Sequence, residues 1–222
     1  MHLKAFKMIM AGAALASIAA CSSSGSGSGG SGGPLSADAY DDEVSRIQGL
    51  APTGDMPTSL DATYTGATKQ SLRETAGGAE VGEMMADLQL TADWTEGQAG
   101  NPWSGSADNF RGTLNGDAFT MDGELTVAAA EAQSLTSTIG RSESTVPLPT
   151  GGTRTIATGA AMIQLAGEVD DDGTPVDVLM TLGGSFFGSG GKAMYGTAQT
   201  QGFQAGGVRS DLVAAGDYYA EQ

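Results

Sequence analysis

The sequence predicts an all-β fold: a small eight-stranded antiparallel β-barrel preceded by a short N-terminal helix and a flexible tether. Three observations predict it. From Pro57 onward, short apolar or Thr-rich runs are broken by Gly, Asn and Asp, the texture of antiparallel strands joined by tight turns. Asn115-Gly116 and Asp172-Gly173 are type I′ hairpin signals, and Ser189-Gly190-Gly191 suits a short hairpin loop. The runs fall near 59–68, 84–94, 103–113, 117–128, 156–169, 176–187, 192–200 and 207–219, and eight is a natural closure number.

Taken in chain order, residues 1–20 have the make-up of a cleaved secretory leader. Lys4 and Lys7 precede an apolar stretch from Met8 to Ala20 that is too short to span a bilayer. Ile18-Ala19-Ala20-Cys21 resembles the lipobox of bacterial lipoproteins, which implies cleavage after Ala20 and lipid attachment at Cys21, the single cysteine of the chain. In such lipoproteins an aspartate after the cysteine often signals inner-membrane retention. Ser22 stands there instead, so the outer membrane is expected. Residues 21–34 are the lipidated Cys and a Ser/Gly linker, a flexible coil reaching about 20 Å.

A short amphipathic helix is expected within 35–50. Ser36 is placed as N-cap, with Asp38, Asp41, Asp42 and Glu43 near the positive helix end. Leu35 and Tyr40 stand at hydrophobic-staple positions, and Tyr40, Val44 and Ile47 make one narrow apolar stripe. Gly49 supplies a C′ residue after which Leu50 folds back on Val44. The helix is expected to dock on the barrel domain, residues 55–222.

Within that domain Ala161, Ile163, Leu165 and Val169 share one strand face, and Met162, Gln164 and Glu168 the other, so one face is core and one is wet. Glycines at 105, 112, 159, 167, 183, 184, 188, 196 and 202 fall inside the expected strands, where they permit the bends of a strongly coiled barrel. Residues 129–155 fit either an Ala-rich helical turn around Ala128–Leu135 followed by an exposed loop, or an extended hairpin.

Composition limits the chemistry. His2 leaves with the leader, so the mature chain has no imidazole and no thiol apart from Cys21. Zinc and copper sites, imidazole-ligated haem, Ser-His-Asp triads and Cys-His pairs all need one or both residue types. No catalytic residue, metal ligand or cofactor is therefore expected. Losing Lys4 and Lys7 leaves eight basic against 26 acidic residues, a formal charge of −18. A phosphate backbone needs a basic footprint, so nucleic acid is excluded as a partner. The acidity fits solubility and equally a basic partner.

Glu168, Asp170, Asp171, Asp172 and Asp177 are the densest carboxylate group. Three of them are consecutive and end in a turn, unlike the alternating ligands of a calcium loop, so a solvated turn is expected. Met84, Met85, Met162, Met180 and Met194 read as gap-fillers. Trp94 and Trp103 flank the loop 95–102 and read as core. Phe186 and Phe187 must point to opposite faces of one strand, and covering by the N-terminal helix accounts for the outward one.

Three segments carry a resemblance to transferrin-binding protein B-like lipoproteins, over roughly residues 55–220. Met56-Pro57-Thr58-Ser59-Leu60-Asp61-Ala62-Thr63-Tyr64-Thr65-Gly66 resembles their first barrel strand. Ser104-Gly105-Ser106-Ala107-Asp108-Asn109-Phe110 is similar to their Gly-polar-Asn-Phe stretch. The segment from Gly183-Gly184-Ser185-Phe186-Phe187-Gly188 to Tyr195-Gly196-Thr197 is similar to their closing hairpin, with Lys192 where that family often has an acidic residue. The resemblance implies one lipid-held barrel at the outer membrane, at the cell surface. It also implies a non-catalytic binding module for an extracellular protein, a metal carrier or a small solute. The expected domain is monomeric, and the matched motifs build the barrel, so no partner-binding residue is transferred. The alternative is a structural, envelope-associated lipoprotein facing the periplasm, without a dedicated ligand.

Overall fold

The computed structural model describes residues 35–74, 78–204 and 207–222. One helix, α1 (Ala37–Gln48), leads into β1 (Ser59–Arg73), β2 (Glu80–Thr95), β3 (Trp103–Leu114), β4 (Asp117–Gly123) and the two-residue β5 (Leu125–Thr126). A short helix α2 (Val127–Ala132) precedes β6 (Thr138–Pro147), β7 (Thr153–Asp171), β8 (Thr174–Phe187), β9 (Ala193–Gln204) and β10 (Gly207–Glu221). All strand pairings are antiparallel. β2, β1, β10, β9, β8 and β7 neighbour one another in that order. β4 and β5 join β7 to β3, and β3 returns to β2, so the sheet closes on itself.

With β4 and β5 counted as one interrupted strand, the ring has eight positions, the barrel the sequence predicts. The interruption departs from the expected single strand over 117–128. Gly123 turns to φ 134°, and Thr126 caps α2 by accepting the Ala129 N–H at 3.0 Å. The Ala-rich run then follows its helix propensity. Residues 129–155 combine both readings of the sequence, because the helical turn is followed by a β6–β7 hairpin in place of a loop. Both I′ turns form, with positive φ at Asn115 and Gly116 and at Asp172 and Gly173. Gly188 lies in the turn after β8, outside the strand where the sequence placed it.

Alternate residues fill the interior. Leu60, Tyr64 and Leu72 of β1 meet Met84, Leu88, Leu90 and Trp94 of β2, Phe110 of β3 and Ile163 and Leu165 of β7, all buried. Met84, Met180 and Met194 are core as expected, while Met162 faces outward and is 41% exposed. One cross-strand row is closely spaced around an aromatic ring: Thr68, Tyr218, Gly196, Gly184 and Ala161 are successive partners from β1 to β7. Tyr218 is fully buried, and its hydroxyl comes within 2.8 Å of where a Gly184 Cβ would stand. A Cβ on Gly196 would lie 2.1 Å from the Gly183 carbonyl oxygen. Glycine is required here by close approach.

The outward face of β1, β9 and β10 carries Ala67, Ala193 and Tyr219, with Met85 of β2 beside them, and α1 lies over them. Tyr40 and Ile47 of the stripe are buried, Val44 and Leu50 pack at the margin, and the Tyr40 and Tyr219 rings stand 5.4 Å apart. Ser36 caps the helix through the Ala39 N–H at 3.3 Å. Gly49 keeps a right-handed backbone, φ −73°, so the left-handed C-terminal turn that glycine permits is not used. Phe186 points into the barrel, and Phe187 packs outward against the α1 cluster, which confirms the covering account.

Five substitutions, three at glycines and two at tyrosines, test this packing. Gly184→Ala and Gly196→Ala each force backbone to shift and are expected to cost at least about 1–3 kcal/mol in urea unfolding. Gly183→Ala, whose Cβ meets only Thr197 Oγ1 at 3.9 Å, is expected to be neutral or stabilising. The Tyr64 hydroxyl donates to the Gly191 carbonyl at 2.7 Å and accepts from Gln222 Nε2 at 2.9 Å, so Tyr64→Phe should cost about 1 kcal/mol. Tyr218→Phe should cost nothing measurable, since that buried hydroxyl has no protein partner among the described residues.

Candidate functional site

The packed interior directs attention to the two ends of the barrel and to what projects from them. At one end Leu72 of β1, the β3–β4 and β7–β8 turns and Arg209 of β10 border a cleft of about 340 Å³. Leu72, Leu114, Phe119 and Met121 give it an apolar floor, and Asp117, Asp171 and Asp172 an acidic rim. Arg209 reaches across to Asp171 at 2.9 Å, so the rim is partly neutralised.

The carboxylate group of the sequence resolves into a turn. Asp170 lies at the β7 end, and its Oδ1 accepts the Gly173 N–H, closing the hairpin. Asp177 pairs with Glu168 across β7 and β8. No group of three or more His, Cys, Asp or Glu residues among the described residues is arranged to hold a metal ion.

At the opposite end, residues 51–56 follow on from β8 as a strap. Thr53 N–H donates to the Phe186 carbonyl at 3.0 Å, and Ala157 N–H donates to the Gly54 carbonyl at 3.0 Å. Asp55 fixes the 189–191 turn, with Oδ1 accepting the Gly190 N–H at 2.8 Å and Oδ2 accepting the Ser189 hydroxyl. Those two donors hold the Asp55 carboxyl below the usual carboxylate range. Beside the strap, Pro52, Arg141, Ser142, Thr158, Ser185 and Phe186 line a second cleft of about 420 Å³.

The β6–β7 hairpin extends beyond this cleft. Ser142 to Pro147 are all exposed, so this part of β6 is wet on both faces, unlike the barrel strands. Val146 and Leu148 near its tip are among the exposed large apolar residues. Arg141 anchors the base: Nε donates to the Met56 carbonyl at 2.9 Å, and the guanidinium pairs with Glu143 at 3.1 Å and Glu96 at 3.3 Å. Those carboxylates raise its pKa further above the usual range, so the charge is permanent.

Trp94 and Trp103 are core, each about 5% exposed or less, and the Trp103 indole donates to the Thr138 carbonyl at 3.3 Å, tying β3 to the start of β6. Cys21 lies outside the described residues. Among the described residues no helix is long and apolar enough to cross a membrane. For the projecting ribbon the sequence offers an extended hairpin only as one of two readings and does not single it out as a candidate site. Its signal was the Ser/Thr/Val run 142–146 followed by the turn formers Pro149, Gly151 and Gly152.

Comparison with family models, curated proteins and solved structures gives no match to this chain.

Proposed function

We propose that the protein is a lipid-anchored, non-catalytic binding module of the transferrin-binding protein B-like kind, held at the outer membrane through Cys21 and presented at the cell surface. Its ligand is an extracellular protein, a metal carrier or a small solute. The observation that carries this reading is the filled barrel. With Tyr64, Phe110, Phe186 and Tyr218 inside, the ring is a rigid scaffold, and recognition falls to the surfaces it displays. The apolar-floored cleft at the turn end suits a small amphiphile, and the ribbon at the other end suits a protein. The lipobox and Ser/Gly linker supply the tether, and the absence of imidazole and free thiol from the mature sequence fits a binder.

The test uses intact cells making the tagged full chain. Labelled palmitate should enter the wild-type protein and be absent from Cys21→Ala, and external protease should degrade the tagged chain without lysis. Unlabelled, soluble protein overturns the anchor. Protection from protease overturns the surface placement. For binding, immobilised protein is offered candidate carriers and solutes: loss of retention in Phe119→Ala assigns the cleft, and loss on shortening the 145–153 tip assigns the ribbon. Retention of none of them overturns the binding role.

A further inference from the structure

Among the described residues β6 is paired along one edge only, by β7. The strap fixes which of its backbone groups face the other edge. Ala157 uses both N–H and C=O toward residues 54–56, on the side of β7 away from β6. Ala157 and its partner Glu143 are therefore a non-hydrogen-bonded pair, and the Glu143 N–H and C=O point away from β7. The register runs unbroken from Thr138 to Pro147, so Ile139, Arg141 and Thr145 present their backbone outward as well. From Ser142 on, neither face of the strand is covered.

Natural sheets blunt such edges with charged side chains, lysine above all, with proline or with a bulge. β6 has no lysine and no bulge, and its proline stands at the last position. Its charges suit its own sequence. A two-fold antiparallel pairing must set outward-facing residues opposite each other, so its centre can fall at few positions. Centring on Arg141 or Glu143 opposes like charges, and centring on Ser144 sets Glu143 against Thr145. Centring on Ser142 sets Arg141 against Glu143 twice and Ile139 against Thr145 twice, with each such pair exchanging two backbone hydrogen bonds.

We infer that the free edge of β6 pairs with β6 of a second copy of this chain, antiparallel about a two-fold axis at Ser142, with each Arg141 facing the partner's Glu143. The sheets of two barrels then continue through one ribbon. The like net charge of two acidic chains opposes this, but beyond about 8 Å it is screened at physiological salt, whereas the edge charges alternate at contact distance. One strand pair lies below the roughly 1,200 Å² of standard interfaces, so the dimer forms according to concentration. This inference departs from the monomeric domain expected from sequence and does not depend on the proposed binding role.

The experiment is disulfide trapping in intact cells. In the proposed register the two Ser142 residues form a non-hydrogen-bonded pair with Cα atoms about 4.5 Å apart, within disulfide range. The full chain carrying Ser142→Cys should give a covalent dimer under mild oxidant. Adding Thr145→Pro should abolish it: the Thr145 N–H faces outward, so proline there spares the β6–β7 ladder while blocking the new one. Adding Glu143→Arg, which needs no backbone change, should reduce it at least several-fold. No dimer from Ser142→Cys, or a yield unchanged by Glu143→Arg and Thr145→Pro, overturns the pairing. The wild-type chain, whose Cys21 sulfur is lipid-modified under the proposed anchoring, should give none. A disulfide through Cys21 would overturn the anchor instead, and the Ser142→Cys comparison repeated with Cys21→Ser then decides the pairing.

Discussion

The fold depends on the contact between Tyr218 and the two glycines beside it. An eight-position ring is narrow, and its interior must be filled by side chains of matched size. Tyr218 is the largest group in its row; Gly184 leaves room for its hydroxyl, and Gly196 between them lets the backbones of β8 and β9 approach. Ala161 continues the row without bulk. The same arrangement lets β8, β9 and β10 approach closely enough to coil. Burial holds the Tyr218 phenol protonated far above its ordinary range, so no charge enters this layer.

A filled ring has a consequence on its outer side. Every strand that turns one residue inward turns the next outward, and the strands next to Tyr218 put Tyr219, Tyr195 and Phe187 on the outside. Helix α1 resolves this by laying Tyr40 and Ile47 over them. Its polar rim is held by Lys69 with Asp41 at 2.9 Å and by Arg46 bridging Glu43 and Glu221. Exposed pairs of this kind contribute about 0–1 kcal/mol each, so apolar burial holds the helix and the ion pairs orient it. Arg111, bonded to Asp87 and to the Leu35 carbonyl at 2.9 Å, fixes where the chain enters the domain.

Much of the frame was legible because it rests on local chemistry. Asn115-Gly116 and Asp172-Gly173 form their turns because both positions need positive φ, and α1 begins at Ser36 because its hydroxyl can serve an orphan N–H. The alternation over 161–169 predicts the facing of β7, and period alone requires one of Phe186 and Phe187 to face outward, while the structure decides that it is Phe187. The candidate sites were less legible. The cleft floor draws Leu72, Leu114 and Phe119 from three strands, and closure alone brings them together. The strap at residues 51–56 has no periodic signal, since its bonds go to Phe186 and Ala157, far along the chain. The break after Gly123 needed both a glycine conformation and the competing helix propensity of Ala128 to Ala130.

Sequence by itself determined the class of fold, the approximate strands, the tight turns and the docking face of the helix. These follow from side-chain periodicity and from backbone preferences that act within a few residues. The tertiary structure decided which glycines are irreplaceable, that the interior is filled, and that β6 leaves the ring as a ribbon with a free edge. Those outcomes depend on how strands distant in sequence are spaced and registered. The direction of each β6 backbone group, for example, is set by the bonds that Ala157 makes to Gly54 and Met56, about a hundred residues away.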